Sequence, residues 1–548
     1  MASYQSCCSF INEKHTILDY VILDFHTNTK KNAIPKELIC NMDVNIHDSS
    51  SESESFGCLE MQAGETTINI DPLFFLFSID DSASMSEICK DGKTKMEHVH
   101  FTMNQMLHYF AENPEATIYV NVTTFNDKVK TVIDTTLISH NNVNEIIEKI
   151  KKIRPTNSTN LELALKTANQ TMDDYVTTIS KKNQQHRIVH ILLTDGCPTA
   201  GDCDDNNLSS LVNDKYCNTF IAFGVDHNPI LMNKLGNVGK NTSNYLIEKL
   251  ELIGNVYGEV VYNQLFKVLD NVILNIDKGY IYDWYTNEWK TKLHLGSLSN
   301  EVKKFYYIKS SEPNNCIVEI TGRPIDRDAG LLFKEYVNKV PDLLIMDSND
   351  NVEGIVDVDL TKHILRLCTQ RLLYESRQYA ADPDTIPFTN VNINDSLWLR
   401  QNRMFNNNLI RSTHHDELLS VQEITEKTKI QTKVETEILY GEPQSRLQIL
   451  KQKINKHINY MYNYNYLNTT KQDEFIQKLC EDMEISLKTL GTKNQQIYLN
   501  ARSRSQGTQQ MYNVTIDNDF SENENNHLSV NNVYATPSAI KIMREFSA

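Results

Sequence analysis

Three short stretches place hard oxygen donors where a divalent cation would find them. In Leu73-Phe-Phe-Leu-Phe-Ser-Ile-Asp-Asp-Ser-Ala-Ser-Met85, an unbroken apolar run gives way to a loop offering Asp80, Ser82 and Ser84 at alternate positions. Pro155-Thr-Asn-Ser-Thr-Asn-Leu161 is a second hydroxyl-rich loop, opening a helix and holding Thr159. Arg187-Ile-Val-His-Ile-Leu-Leu-Thr-Asp-Gly196 is another apolar run that ends in a carboxylate, Asp195. Hydroxyls and carboxylates suit Mg²⁺, which is six-coordinate, keeps several waters and therefore needs few protein ligands.

Such apolar runs read as parallel strands buried on both faces. Their loops then leave the carboxyl edge of a sheet, where α/β proteins bind ligands. Between the runs, Met96, Val99, Met103, Leu107 and Phe110 recur at helical spacing, and Asn113-Pro114 ends that helix. Residues 117–122 and 129–133 read as two strands about a polar turn, the place for an antiparallel edge. Helices are expected over 143–150 and 161–172, and a strand over 219–225. A closing helix is expected over 256–274, with Val261, Leu265, Leu269 and Val272 on its apolar face. Strand–helix alternation predicts an α/β domain with a doubly wound, mostly parallel sheet covered on both faces.

Taken together, the three stretches resemble the von Willebrand factor A (vWA) domain. In that family a metal-ion-dependent adhesion site (MIDAS) pairs D-x-S-x-S with a distal Thr and a distal Asp, usually in T-D-G. The resemblance covers about residues 70–276, under half of the chain. It implies a metal site made of Asp80, Ser82, Ser84, Thr159 and Asp195, in the family's order. It further implies bound Mg²⁺ or Mn²⁺ with one coordination position open to an Asp or Glu of a partner protein. Asp80 and Asp195 would set the charge, and Ser82, Ser84 and Thr159 would donate neutral oxygens.

Composition bounds the remaining choices. The chain has 548 residues, enough for two to four domains. Its 54 Lys and Arg against 71 Asp and Glu leave a formal charge of −17, without the basic footprint that nonspecific nucleic-acid binding needs. No apolar stretch reaches the length of a membrane span, and the N-terminus lacks a signal-like apolar core. An intracellular, cytoplasmic location is expected, or a virion if the source is viral. The 11 Cys are mostly scattered, are odd in number and form no C-x-x-C pair, so reduced thiols are expected rather than a zinc ribbon. An Asn-, Ile- and Lys-rich composition fits an AT-rich genome.

Six segments follow from the changes of pattern: an accessory N-terminal segment (1–46), an acidic Ser-rich linker (47–69) and the vWA-like domain (70–276). A small antiparallel β region (277–358), completed by the N-terminal strands, comes next. A helical region (359–500) and a polar, mobile tail (501–548) end the chain. In the β region, residues 280–295 read as two strands turning at Thr286-Asn287, with Tyr280, Tyr282, Trp284 and Trp289 as core and turn packing. The order of vWA domain, β region and helices resembles the vWA-associated architecture of some protist and large-virus proteins. Neither a Hint-type cysteine block nor a U-box is present.

A non-enzymatic, metal-dependent protein-binding or scaffold protein is therefore expected. The alternative is a structural or assembly protein, for example of a large viral particle, in which the metal only stabilises the fold. A metal-dependent hydrolase is the third reading. It lacks a Walker-type loop, an H-E-x-x-H and a G-x-S-x-G elbow, and His98, His100 and His190 fall on predicted helix or strand faces.

Overall fold

The apolar runs at 73–80 and 187–194 are neighbouring strands at the middle of a six-stranded sheet. The computed structural model describes residues 21–27, 55–63, 72–89, 91–113, 116–182, 186–224, 227–239, 241–247, 253–325, 333–338, 344–346, 352–355, 360–381, 443–468, 473–509 and 534–547. In chain order, β1 (Val21–Thr27) and β2 (Ser55–Ala63) precede β3 (Leu73–Asp80) and α1 (Lys95–Glu112). Next come β4 (Ile118–Phe125), β5 (Val129–Leu137), α2 (Val143–Ile150), α3 (Leu161–Ser180), β6 (Arg187–Thr194) and α4 (Asp205–Ser210). β7 (Cys217–Phe223), α5 (Pro229–Leu235), β8 (Thr242–Ile247) and α6 (Ile253–Leu265) complete the α/β domain.

The sheet order is β5-β4-β3-β6-β7-β8. All neighbours pair in parallel except β5, which runs antiparallel to β4 at the edge where the polar turn placed it. This is the mostly parallel, doubly wound α/β sheet that the alternation predicts. Every residue of β3 is buried. Alternate side chains leave opposite faces of a strand, so Phe74 stacks on Tyr175 of α3 at 3.9 Å while Phe75 stacks on Phe110 of α1 at 5.1 Å. Both faces of β3 are thereby covered by helices. Thr94 starts α1 through a capping box with Glu97, and Asn160 caps α3 by accepting from the Leu163 N–H.

A polar chain crosses the interior of this sheet. Asn218 donates through Nδ2 to the carbonyls of Asn213 and Tyr216, which turns its Oδ1 toward His190 Nδ1 at 3.0 Å. His190 therefore donates from Nδ1 and accepts from the Ser78 hydroxyl at Nε2, 3.0 Å away. Burial pulls the imidazole down to about 4, so it is neutral near pH 7. Ser, His and Asn in this order superficially suggest a nucleophile triad, but Ser78 is only 1% exposed. Its observed role is to satisfy polar groups across three strands.

The closing helix is shorter than expected. α6 ends at Leu265, and β9 (Lys267–Asp277) follows almost at once. The cause is a break in the strand's alternation. Asn271 takes a left-handed φ of 51°, and the pairing registers shift beside it. Leu269 and Val272 therefore fall three apart on the buried side, and Val272, Leu274 and Ile276 then alternate.

The β region is two sheets and a separate pair, not one small sheet. Its strands are β10 (Tyr280–Asp283), β11 (Glu288–Lys290), β12 (Lys292–Ser299), β13 (Lys303–Ser310), β14 (Ile317–Pro324), β15 (Phe333–Asn338), β16 (Leu344–Met346) and β17 (Val352–Ile355). One sheet has the order β1-β2-β13-β10-β11 and another β12-β9-β14-β15, while β16 pairs with β17. The turn falls before β11, with Asn287 at φ 58°. Residues 55–63, expected within a linker, instead form a strand with Phe56, Cys58, Leu59 and Met61 buried. Only residues 47–54 and 64–69 of that expected linker lie outside the described residues. Phe56 and Cys58 share a core with Tyr282, Tyr307, Leu360, Ile364 and Leu367, against which Trp284 and Trp289 pack; Tyr280 is 43% exposed.

After the β region the described helices are α7 (Thr361–Ala381), α8 (Pro443–Asn468), α9 (Glu474–Thr489), α10 (Gln495–Thr508) and α11 (Pro537–Ser547). Residues 382–442 lie outside the described residues. The chain divides into two units, Met1–Cys368 with Arg504–Ala548, and Thr369–Ser503. In the second unit, Ile454, Ile458, Met461, Leu479 and Met483 are buried, and Asp482 bonds Arg502 NH1 at 2.9 Å. The tail expected to be polar and mobile over 501–548 contains the end of α10 and all of α11. Helix α11 buries Ala539, Ile542, Met543 and Phe546, with Phe546 edge-on to Tyr109 of α1. Its apolar stripe is short, which hid it among polar neighbours. No described helix is long and apolar enough to cross a membrane.

Candidate functional site

The carboxyl ends of β3 and β6 deliver Asp80 and Asp195 side by side, because these strands are direct neighbours. Both carboxylates are buried, at 0% and 1% exposure. Asp80 Oδ1 accepts from the Ser82 N–H at 2.8 Å, and its Oδ2 accepts from the Thr194 hydroxyl at 2.6 Å. Ser84 donates to Asp195 Oδ1 at 2.7 Å and lies 3.1 Å from the Ser82 hydroxyl.

Thr159 reaches the same place from the loop before α3. A Cβ built on Gly196 would lie 3.9 Å from Ser84 Oγ and 4.0 Å from Thr159 Oγ1, so the two hydroxyls border one small space that a glycine leaves open. The loops are fixed by backbone bonds. The Ala83 N–H donates to the Asn157 carbonyl at 3.1 Å, and the Thr156 N–H to that of Asp81 at 2.7 Å. Thr199 and Ala200 both donate to the Thr159 carbonyl, while the Thr199 hydroxyl accepts from the Thr159 N–H. Asn157 adopts φ 67°, a left-handed conformation that Asn tolerates well. All five residues singled out in the sequence are thus brought together.

Two partners escaped the sequence reading. Thr194 orients Asp80 from inside the T-D-G triplet. Lys95, the first residue of α1, places Nζ 2.7 Å from Asp195 Oδ2 and 2.6 Å from Glu87 Oε2. Thr194 had a signal, since it adjoins Asp195. Lys95 had none, because it lies 100 residues from Asp195.

The electrostatics are those of a site short of positive charge. Burial pushes the Asp80 carboxyl up to about 6, the Ser82 and Thr194 donors pull it back, and the nearby Asp195 charge raises it further. Burial alone would lower Lys95, but its bonds to Asp195 and Glu87 outweigh that and hold the ammonium above its ordinary range. The donors fit a hard divalent cation: two buried carboxylates, three hydroxyls and an open space bordered by two of those hydroxyls. Among the described residues, no group of three or more His, Cys, Asp or Glu is placed to hold an ion. The fit therefore depends on the hydroxyls.

Residues 75–197 match the von Willebrand factor type A domain family. The matched stretch holds all five candidate ligands, Asp80, Ser82, Ser84, Thr159 and Asp195. Among solved structures, it is similar to a von Willebrand factor type A protein from Catenulispora acidiphila at 13% identity, covering 66% of this chain and 82% of that one, with a TM-score of 0.42. It is also similar to the ArnB paralog VWA2 from Sulfolobus acidocaldarius at 12% identity, covering 90% of this chain and all of that one, with a TM-score of 0.44. Comparison with curated protein sequences gives no match. Domains of this family commonly mediate protein interaction or adhesion.

Proposed function

We propose that this chain is a non-enzymatic protein-binding or scaffold protein whose vWA domain captures a carboxylate of a partner protein through a divalent cation. The convergence of Asp80, Ser82, Ser84, Thr159 and Asp195 from three loops carries this reading. Ser82, Ser84 and Thr159 would supply neutral oxygens, and Asp80 and Asp195 the negative charge that attracts the ion. Bound Mg²⁺ or Mn²⁺ would supply an open coordination position for an oxygen anion. The protein's own part is to hold those oxygens in place. Buried carboxylates between hydrogen-bonded loops do this with little freedom to lose, which favours binding by preorganisation.

The test is a peptide selection on the immobilised full chain in Mg²⁺, eluted with EDTA. Selected peptides should share an Asp or Glu, and changing it to Asn or Gln should abolish binding. Peptides that bind equally well in EDTA, or that tolerate the amide change, would overturn the reading.

A further inference from the structure

The proposed cation is not the only positive charge available to Asp195. Lys95 Nζ already sits 2.7 Å from Asp195 Oδ2, with its side chain 11% exposed and that of Asp195 fully buried. The contact is built, not incidental. Thr94 fixes the start of α1 through its capping box, and the Lys95 N–H donates to the Glu87 carbonyl at 3.0 Å. Glu87 Oε2 holds the other side of the ammonium at 2.6 Å. Asp195 thus divides its oxygens, Oδ1 to the candidate ligand Ser84 and Oδ2 to Lys95.

We infer that Lys95 is an internal counter-ion that competes with the divalent cation for Asp195, lowering metal affinity while raising the site's pull on an incoming anion. The inference rests on the metal reading above. An ion and an ammonium that share one carboxylate repel each other, so the ion binds less tightly than two free carboxylates would allow. The same ammonium cancels one of the three carboxylates around the filled site, Asp80, Asp195 and Glu87, and so leaves it less negative. Without it, Asp80, Asp195 and Glu87 would more than offset the ion's charge and weaken its hold on a partner carboxylate. Lys95 would then make metal and partner bind most strongly together, because the partner's negative charge relieves the repulsion.

Mn²⁺ titration of the full chain by calorimetry tests this, comparing wild type, Lys95→Met and Lys95→Arg after circular dichroism confirms folding. Lys95→Met should bind Mn²⁺ at least about fivefold more tightly, and Lys95→Arg within about twofold of wild type. A merely structural role predicts the opposite sign, since a damaged site binds metal less well. If Lys95→Met does not fold, Lys95→Gln keeps an N–H donor for Asp195 without the charge and takes its place under the same expectation. Equal or weaker binding by the neutral variant overturns the inference and leaves the metal reading intact. Binding by the neutral variant alone supports the inference and removes the metal from the wild-type protein. No binding by any of them removes both.

Discussion

Thr194 donates its hydroxyl to Asp80 Oδ2 across 2.6 Å, and both side chains are buried. The bond ties the ends of adjacent strands β3 and β6 and sets the orientation of the first residue of D-x-S-x-S. A residue outside the five-residue motif therefore shapes the motif's geometry.

Replacing Thr194 by Val keeps the shape and removes the donor. Loss of a hydrogen bond to a buried carboxylate costs roughly 1 to 3 kcal/mol. Thr194→Val should be destabilised by that amount in urea unfolding with EDTA present. An unchanged midpoint would show that Asp80 does not depend on this hydroxyl.

His190 gives the domain a pH dependence of known sign. Burial lowers its imidazole from 6.5 to about 4, so between those values the unfolded chain binds a proton that the folded chain refuses. This contribution is complete above about pH 6.5 and is lost as pH falls toward about 4, to a total of about 3 kcal/mol. Asp80 is raised from 3.8 to about 6 and acts in the opposite direction between those values. That contribution is common to wild type and a His190→Gln variant and cancels in their difference. The variant, unfolded with denaturant at pH 7.5 and pH 5 in EDTA, should lose less stability on acidification. Equal losses would contradict a buried neutral His190.

Gly258 reverses a usual rule. Inside a helix, Ala is normally favoured over Gly by about 1 kcal/mol. In α6, however, a Cβ on Gly258 would lie 2.6 Å from Met543 Cα of α11, a backbone atom that cannot turn aside. Gly258→Ala should therefore destabilise the protein by roughly 1 to 3 kcal/mol, as overpacking does. A raised melting temperature would mean that α11 does not rest on α6 in solution.

The centre of the domain was legible because local pattern and tertiary role agree there. β3 and β6 are apolar runs because both of their faces are covered, and each ends in an acid because its end is the site. The polar turn between β4 and β5 likewise announced the edge. Elsewhere, distant partners decide. The strand in 55–63 hides behind a serine run, and its other neighbour, β13, begins about 240 residues later. At Asn271 a bulge turns strand spacing into something that reads as a helix. Lys95 looks like any helix-opening lysine until the fold brings Asp195 to it. Short helix α11 becomes recognisable only through the α6 and α1 surfaces that it covers.

The most direct measurement for the central claim is Mn²⁺ binding to the metal-stripped full chain by isothermal titration calorimetry. Wild type should bind one ion, and Asp80→Ala and Thr159→Ala, each checked for folding, should bind it at least about tenfold more weakly. Absence of saturable binding by wild type, or unchanged affinity in both folded variants, would contradict a cation site made of Asp80, Ser82, Ser84, Thr159 and Asp195.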